Sequence, residues 1–244
     1  LWIAFSIFMV TLIGFYIIGG NPVNNDELGY MYLAWFDQAW TSHLNRYVHV
    51  YFLKFFMWIV GDPYKGAQLA WAFTVSTCSV MIFLGARVLT ARASFWPSII
   101  ALLFFFGQSS LFRYVGVAYV DYTLMLWVTA ATFILIHRLS APKEVWYLHA
   151  FLLGMLFVLA FKTKESGVIL VLPLIAIAFA DNKFNLKNAL TQWRWSFYGA
   201  VAVFAVIVVF DAVFLGDMFF SINLDNYINA ASNLVRNWER TRNN

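Results

Sequence analysis

Asp26 and Glu27 stand side by side just after a long apolar run, Leu1 to Ile18, has given way to a polar, aromatic-rich stretch. Carboxylates set where a helix leaves lipid are costly neighbours for the membrane, so they mark candidate sites of pairing, binding or reaction. A third acid, Asp121, opens another apolar run in Val-Ala-Tyr-Val-Asp-Tyr-Thr, at the positive end of the helix expected there. It reads either as a helix cap and dipole partner or as a second acidic locus. Two such loci facing one cavity would divide the labour, one removing a proton from an acceptor hydroxyl while the other positions substrate or a cation. The cations that could serve the same cavity are Arg46, His49 and Lys54, and then Lys162 and Lys164 in Phe-Lys-Thr-Lys-Glu-Ser-Gly. Lysines act on phosphate as point charges, and basic residues at the lipid boundary suit an anionic lipid head group. A plainer reading stands beside this one: a solvated turn in which Lys162 and Glu165 pair at i,i+3 spacing, with cations that attract bulk anionic lipid unselectively.

The elements that must position these residues are apolar helices. Of the 244 residues, 62% are hydrophobic and 11% charged, against roughly 45–50% and about 25% in soluble domains. This is an integral membrane composition, and the aromatic content (11 Trp, 12 Tyr, 26 Phe) suits several lipid–water crossings. Seven segments approach the roughly 20 residues a bilayer core requires: Leu1–Ile18, Ala67–Ala86, Phe95–Gly107, Val120–Ile136, Val145–Phe161, Val168–Ala180 and Phe197–Phe214. Asn45–Val60 is apolar too, but Arg46, His49 and Lys54 fall in one sector roughly 140° wide, which favours a helix lying in the interface. Ahead of it Leu28, Met31, Tyr32, Trp35, Phe36 and Ala39 recur at helical spacing, with Asn25 or Asp26 able to cap the start. The fold expected is therefore all-α: a polytopic membrane protein of about seven transmembrane helices, with two interfacial helices in the first outer loop. The alternative, in which Asn45–Val60 crosses the membrane, reverses every later helix.

On the interfacial reading, residues 19–65, 108–119, 162–167 and the tail after 215 share one side. The other side receives Arg87 and Arg92, Arg138 and Lys143, and Lys183, Lys187 and Arg194, whose compact basic loops look cytoplasmic. All the candidate acids and cations then arrive at one face. Asp181–Trp195 reads as a short polar connection. The whole, residues 1–244, is expected to be a single transmembrane domain and the N-terminal part of a longer protein.

Several function classes are disfavoured. The formal charge of +4 is scattered in ones and twos, which argues against nucleic acid. A single cysteine, Cys78, excludes an internal disulfide and a cysteine metal cluster. There is no Gly-rich phosphate loop, His-Glu-x-x-His or serine elbow. His43, His49, His137 and His149 are not expected to pair across facing spans as haem ligation would want. The apolar segments carry almost no ionisable residues, unlike pumps and channels; Asp211, near the end of the last one, is the exception.

The order of features along the chain is recognisable. A first span is followed by Asn-Asp-Glu-Leu-Gly-Tyr (Asn25 to Tyr30), a basic-aromatic helix ending in Gly-Asp-Pro (Gly61 to Pro63), and a span closing in Leu-Gly-Ala-Arg-Val-Leu (Leu84 to Leu89). An Asp-led helix at Asp121 and a Lys-Glu turn at Lys164–Glu165 complete the series. This resembles the membrane half of C-type glycosyltransferases, in particular the protein O-mannosyltransferases and lipid A aminoarabinose transferases, over residues 1 to about 220. The resemblance implies transfer of a sugar from a polyprenyl-phosphate carrier to an acceptor hydroxyl at the outer face of the plasma (inner) membrane. It implies that the Asp26–Glu27 pair holds the catalytic base, that Asp121 is the second acidic locus, and that Arg46, His49, Lys54, Lys162 and Lys164 meet the carrier phosphate. No cofactor is expected to be required, and the two acidic loci leave room for a divalent cation without a metal-ligand set. Where relatives carry a Lys-Pro-Pro-type element, this chain reads Tyr-Val-His-Val-Tyr-Phe-Leu-Lys (Tyr47 to Lys54). Two other readings stay open: a non-catalytic transferase-like subunit that braces a larger membrane complex, and a transporter of a lipid-linked substrate.

Overall fold

The computed structural model describes residues 1–19, 30–31, 34–35, 46–90, 95–108, 111, 120–140, 145–172, 174–175 and 186–215. Asp26 and Glu27 lie outside the described residues, as does most of the first expected interfacial helix. The described elements are helical throughout: α1 (Trp2–Ile18), α2 (Tyr47–Val60), α3 (Pro63–Leu89), α4 (Trp96–Phe106), α5 (Val120–Ser140), α6 (Trp146–Thr163), a 3-10 segment (Glu165–Leu170) and α7 (Leu186–Leu215). Among the described residues four helices are long and apolar enough to cross a membrane, namely α3, α5 over Val120–Arg138, α6, and α7 over Ala189–Val213. The chain is thus an all-helical, multi-pass integral membrane protein. Helices α1, α2 and α4 are apolar but shorter.

Neighbouring helices are oriented by contacts near their ends. The Gln68 side chain, in the second turn of α3, donates to the Gly19 carbonyl just past α1, at 3.3 Å, so these two helices are antiparallel. Trp71 meets Tyr122 edge-on at 6.0 Å and Gly85 faces Phe133 and Ile136, which makes α3 and α5 parallel. Helix α6 runs back along α5, with Trp127 Nε1 donating to Thr163 Oγ1 at 2.9 Å near one end and His137 beside His149 at the other. Helices α6 and α7 run the same way, with Tyr147 beside Trp195 near their starts and Lys162 in the field of Asp211 near their finishes, and they cross where Gly154 lies against Ser196 and Gly199 against Phe151. One end of the bundle therefore gathers the finish of α1, all of α2, the starts of α3 and α5 and the finishes of α6 and α7. We call this the site end.

The α2–α3 corner shows how local sequence builds it. Gly61 adopts a left-handed conformation (φ 70°), which needs no Cβ, and its N–H closes α2 on the Met57 carbonyl. Asp62 then caps α3 by accepting from the Lys65 N–H at 2.8 Å, and Pro63 sits in the first turn, where a missing N–H costs nothing. Gly66 lets α3 press on α2: a Cβ there would lie 2.5 Å from Met57 Cα. Gly66→Ala is therefore expected to cost about 1–3 kcal/mol by forcing two backbones apart. A thermal-inactivation midpoint in detergent equal to the wild type would contradict that.

Two expectations are refined. The sequence reads Asp181–Trp195 as a polar connection, but α7 begins at Leu186. At 30 residues it is roughly 45 Å long, longer than a bilayer core of about 30 Å. Its first turns are polar because they extend past the apolar region, where Lys187 and Arg194 can reach water. In the Val168–Ala180 run the described part begins as the 3-10 segment, in which Gly167 packs on the Ala160 backbone; helical residues 171–172 and 174–175 follow. Of the first expected interfacial helix, the described residues are helical, with Tyr30, Met31 and Ala34 buried and Trp35 exposed. Tyr30, Met31 and Ala34 pack with Leu53, Phe56, Met57, Ala67, Ala70 and Val120 into the core under the site end.

Candidate functional site

Asp121 lies in the first turn of α5, where the helix dipole favours a carboxylate. Lys164 is the residue that ends α6, and its extended backbone (φ −160°, ψ 142°) turns the chain out of the helix. Its Nζ meets Asp121 Oδ1 at 2.5 Å, a partly exposed ion pair that joins two loci read separately in the sequence. Two residues after Asp121, Thr123 is buried and shares a 2.8 Å hydrogen bond with His49 Nδ1. Tyr30 packs its edge against the His49 ring at 5.0 Å, and the Arg46 guanidinium donates to the Tyr30 hydroxyl. Arg46, Tyr30, His49 and Thr123 thus form a chain of contacts in which the middle link is ring against ring, and Thr123 stands in the same turn of α5 as Asp121.

Beside it is a second charged locus. Lys162, in the last turn of α6, is buried, and Asp211 on α7 is completely so. The two attract each other, and the field of Asp211 also reaches Tyr47 and Tyr51 on α2. Burial first, and Asp211 second, push the Tyr51 phenol up to about 12, so it stays protonated and able to donate. The attraction between these opposite charges offsets part of the cost of holding them this deep.

Between α2 and α7 lies an open groove of about 310 Å³, lined by Tyr51, Lys54, Phe55, Trp58 and Phe210. Its walls are almost wholly apolar. Tyr51 and Phe210 close one end, with ring centroids 5.5 Å apart. Lys54 is the cation on this lining, and burial of its stem lowers its pKa below the ordinary lysine value. Phe55, Trp58 and Ile59 form the exposed face of α2, whereas His49, Leu53, Phe56 and Met57 are turned inward.

The expected site residues are therefore distributed as follows. Asp121 and Lys164 are brought into contact, and His49 reaches the same helix turn through Thr123. Arg46 is committed to Tyr30, Lys162 is buried near Asp211, and Lys54 lines the groove. Asp26 and Glu27 lie outside the described residues. Sequence reasoning passes over Tyr30, Tyr47, Tyr51 and Thr123, whose types are unremarkable in an aromatic-rich membrane chain. Asp211 does carry a signal, as the one acid inside the last apolar segment. Among the described residues no group of three or more His, Cys, Asp or Glu side chains is placed to hold a metal ion.

No family model matches this chain, and no curated protein or solved structure does.

Proposed function

We propose that this chain is the membrane part of a polyprenyl-phosphate-dependent glycosyltransferase. The observation that carries the reading is that one end of the bundle holds both an acid–cation pair and an apolar groove bearing a lysine. The Asp121–Lys164 pair sits with His49 and Thr123 at the junction of α2, α5 and α6, and the groove holding Lys54 opens on the other flank of α2. An isoprenoid chain fits the Phe55, Trp58 and Phe210 surface, and Lys54 offers its charge to the phosphate.

In the reaction the acceptor hydroxyl attacks the anomeric carbon, the bond from that carbon to the phosphate oxygen breaks, and a base takes the hydroxyl proton. The phosphate departs with the electron pair, and nearby ammonium groups stabilise the charge that develops. Asp26 or Glu27 supplies the base, and Asp121 the second acidic locus. Arg46, His49, Lys162 and Lys164 act as supporting residues around the phosphate end. In this reading α1, α4 and the helix beginning near Val168 also cross the bilayer, giving about seven spans. Helix α2 and the helix containing Tyr30 lie in the outer interface of a plasma (inner) membrane. Were a divalent cation to take part, Asp121 with Asp26 or Glu27 would hold it and it would supply charge neutralisation at the phosphate, and transfer measured with and without a chelator would reveal it.

The test is transfer itself, with purified protein in lipid, a radiolabelled sugar on polyprenyl phosphate and an alcohol acceptor. Lys54→Ala should raise the KM for the lipid donor by roughly tenfold or more, as expected for loss of a charge-assisted contact, and leave kcat less affected. No donor-dependent transfer would overturn the reading.

One observation favours a second reading. The described charged groups largely satisfy one another, as in Asp121 with Lys164, which suits a transferase-like subunit bracing a larger membrane complex. Co-purification with other membrane chains, without transfer activity, would select it. Movement of labelled carrier across vesicles without any acceptor would instead select a lipid-linked substrate transporter.

A further inference from the structure

Beside the Gly154 crossing of α6 and α7 lies a second open groove, about 280 Å³ in volume, near the lower end of the roughly 300–1,000 Å³ usual for ligand sites. It is lined by Phe157 of α6, Trp193, Phe197 and Ala200 of α7, and Leu174 and Ile175 beyond the 3-10 segment. Apart from Ser196 and the Trp193 indole, the lining is apolar. From Trp193 to Ala200 it follows α7 for roughly 10 Å, in the half of that helix away from the site end. Trp146 and Tyr147 begin α6 beside Trp193 and Trp195, with the Tyr147 and Trp195 rings 5.4 Å apart. Such rings settle at the head-group level of a bilayer, so the groove runs from that level inward. Charge is divided sharply along the bundle. Among the described residues the four acids, Asp62, Asp121, Glu165 and Asp211, belong to the site end, whereas Arg87, Arg138, Lys187 and Arg194 stand at the opposite end. We propose that this groove holds an acyl chain of an anionic glycerophospholipid whose phosphate lies at Lys187 and Arg194.

In a bilayer an apolar groove alone selects nothing, because lipid tails are as apolar as its walls. Selection comes from the head group. Lys187 and Arg194 are exposed and seven residues apart, which places them on one face of α7, and Phe197 on the groove is three residues beyond Arg194. Side chains on a helix lean toward its N-terminus, so the stems of these two cover the apolar rim while their charges reach the head-group level. Arg138 adds a third positive charge from within. It is buried over the Trp146 ring, donates to the Trp146 carbonyl and to Gln192, and shares a small cleft with Leu174, Trp193 and Ser196 of the groove. Basic residues clustered at the head-group level favour anionic over zwitterionic lipid. The dimensions favour a lipid over a polypeptide. A helix with its side chains is about 10–12 Å across and does not enter a space of this volume, whereas a single file of methylenes does. The groove that carries Lys54 is at the other end of the bundle, so nothing here depends on the proposed reaction.

The test is native mass spectrometry of the full chain, purified in mild detergent and supplied with equal amounts of dioleoyl phosphatidylglycerol and dioleoyl phosphatidylcholine. The wild type should retain phosphatidylglycerol in preference to phosphatidylcholine by roughly tenfold or more, since each cation near the head group adds to the attraction. Lys187→Gln with Arg194→Gln should bring that preference to within about twofold of unity, leaving phosphatidylcholine retention unchanged. Ala200→Phe and Ile175→Trp fill the groove and should abolish retention of both lipids. Should Ala200→Phe fail to fold, Ile175→Trp carries the test, because that side chain is 39% exposed at the rim. Val10→Phe, on the exposed face of α1, should change neither lipid. Equal retention of the two lipids by the wild type, or phosphatidylglycerol retention undiminished in the groove-filling variants, overturns the proposal. So does a second copy of the chain, or another polypeptide, held in place of lipid and released by Ile175→Trp.

Discussion

Asp121→Asn is expected to lower sugar transfer from a polyprenyl-phosphate donor by roughly 10²–10⁴-fold, the range associated with a positioned acid or base, while the protein still folds. The two halves of this expectation rest on different observations. Asp121 and Lys164 are both partly exposed, and pairs of that kind contribute only about 0.2–1 kcal/mol to stability. The loss of activity cannot then be blamed on unfolding. Lys164→Met separates two roles for the carboxylate. If Asp121 acts only by fixing Lys164, the single variants fall equally and the double variant falls no further. If it meets substrate itself, Asp121→Asn falls further than Lys164→Met, and its effect appears in kcat rather than in KM for the donor. Alanine at Asp26 or at Glu27 should abolish transfer where that residue is the base. Activity within about twofold of wild type in all three acidic variants would remove the chemistry from this end of the bundle, since a catalytic proton transfer is worth far more than that.

Gly154→Ala and Gly199→Ala should each destabilise the protein by about 1–3 kcal/mol or more, as overpacking against a rigid partner does. At Gly154 an added Cβ would stand 1.8 Å from the Ser196 carbonyl oxygen, and at Gly199 1.9 Å from that of Phe151. Both obstacles are backbone, so no side chain can swing aside, and the two helices must separate along their closest contact. Lipid tails are as apolar as leucine, and helix association in a bilayer therefore relies on such close approach rather than on hydrophobic burial. Gly14→Ala is the internal control. Nothing lies within 4 Å of a Cβ there, and alanine is the better helix former, so that variant should match or exceed the wild type. Thermal-inactivation midpoints in one detergent would compare all three. Similar midpoints for Gly154→Ala and Gly14→Ala would contradict the α6–α7 crossing. The site end would feel its loss, because α7 carries Asp211 and Phe210 toward α2 and α6.

The membrane character, the helical class and the approximate placement of most helices are legible in the residues alone, because a polypeptide in hydrocarbon must satisfy its backbone within itself and an apolar run announces where it does so. The Gly61–Asp62–Pro63 corner and the acid that opens α5 are legible for a similar reason: caps, left-handed glycine and the helix dipole act over a few neighbouring residues. Tertiary structure alone decided the partners. Lys164 fits a solvated turn by its sequence, yet it reaches Asp121 across 43 positions of chain. His49 reads as a phosphate contact and is turned inward onto Thr123. His137 and His149 are not expected to pair, and they touch. When lipid and protein interior are equally apolar, hydrophobic periodicity says little about which face of a spanning helix looks inward. The rotation of each helix, and with it every polar pairing, emerges only when glycines and small residues let particular helices meet.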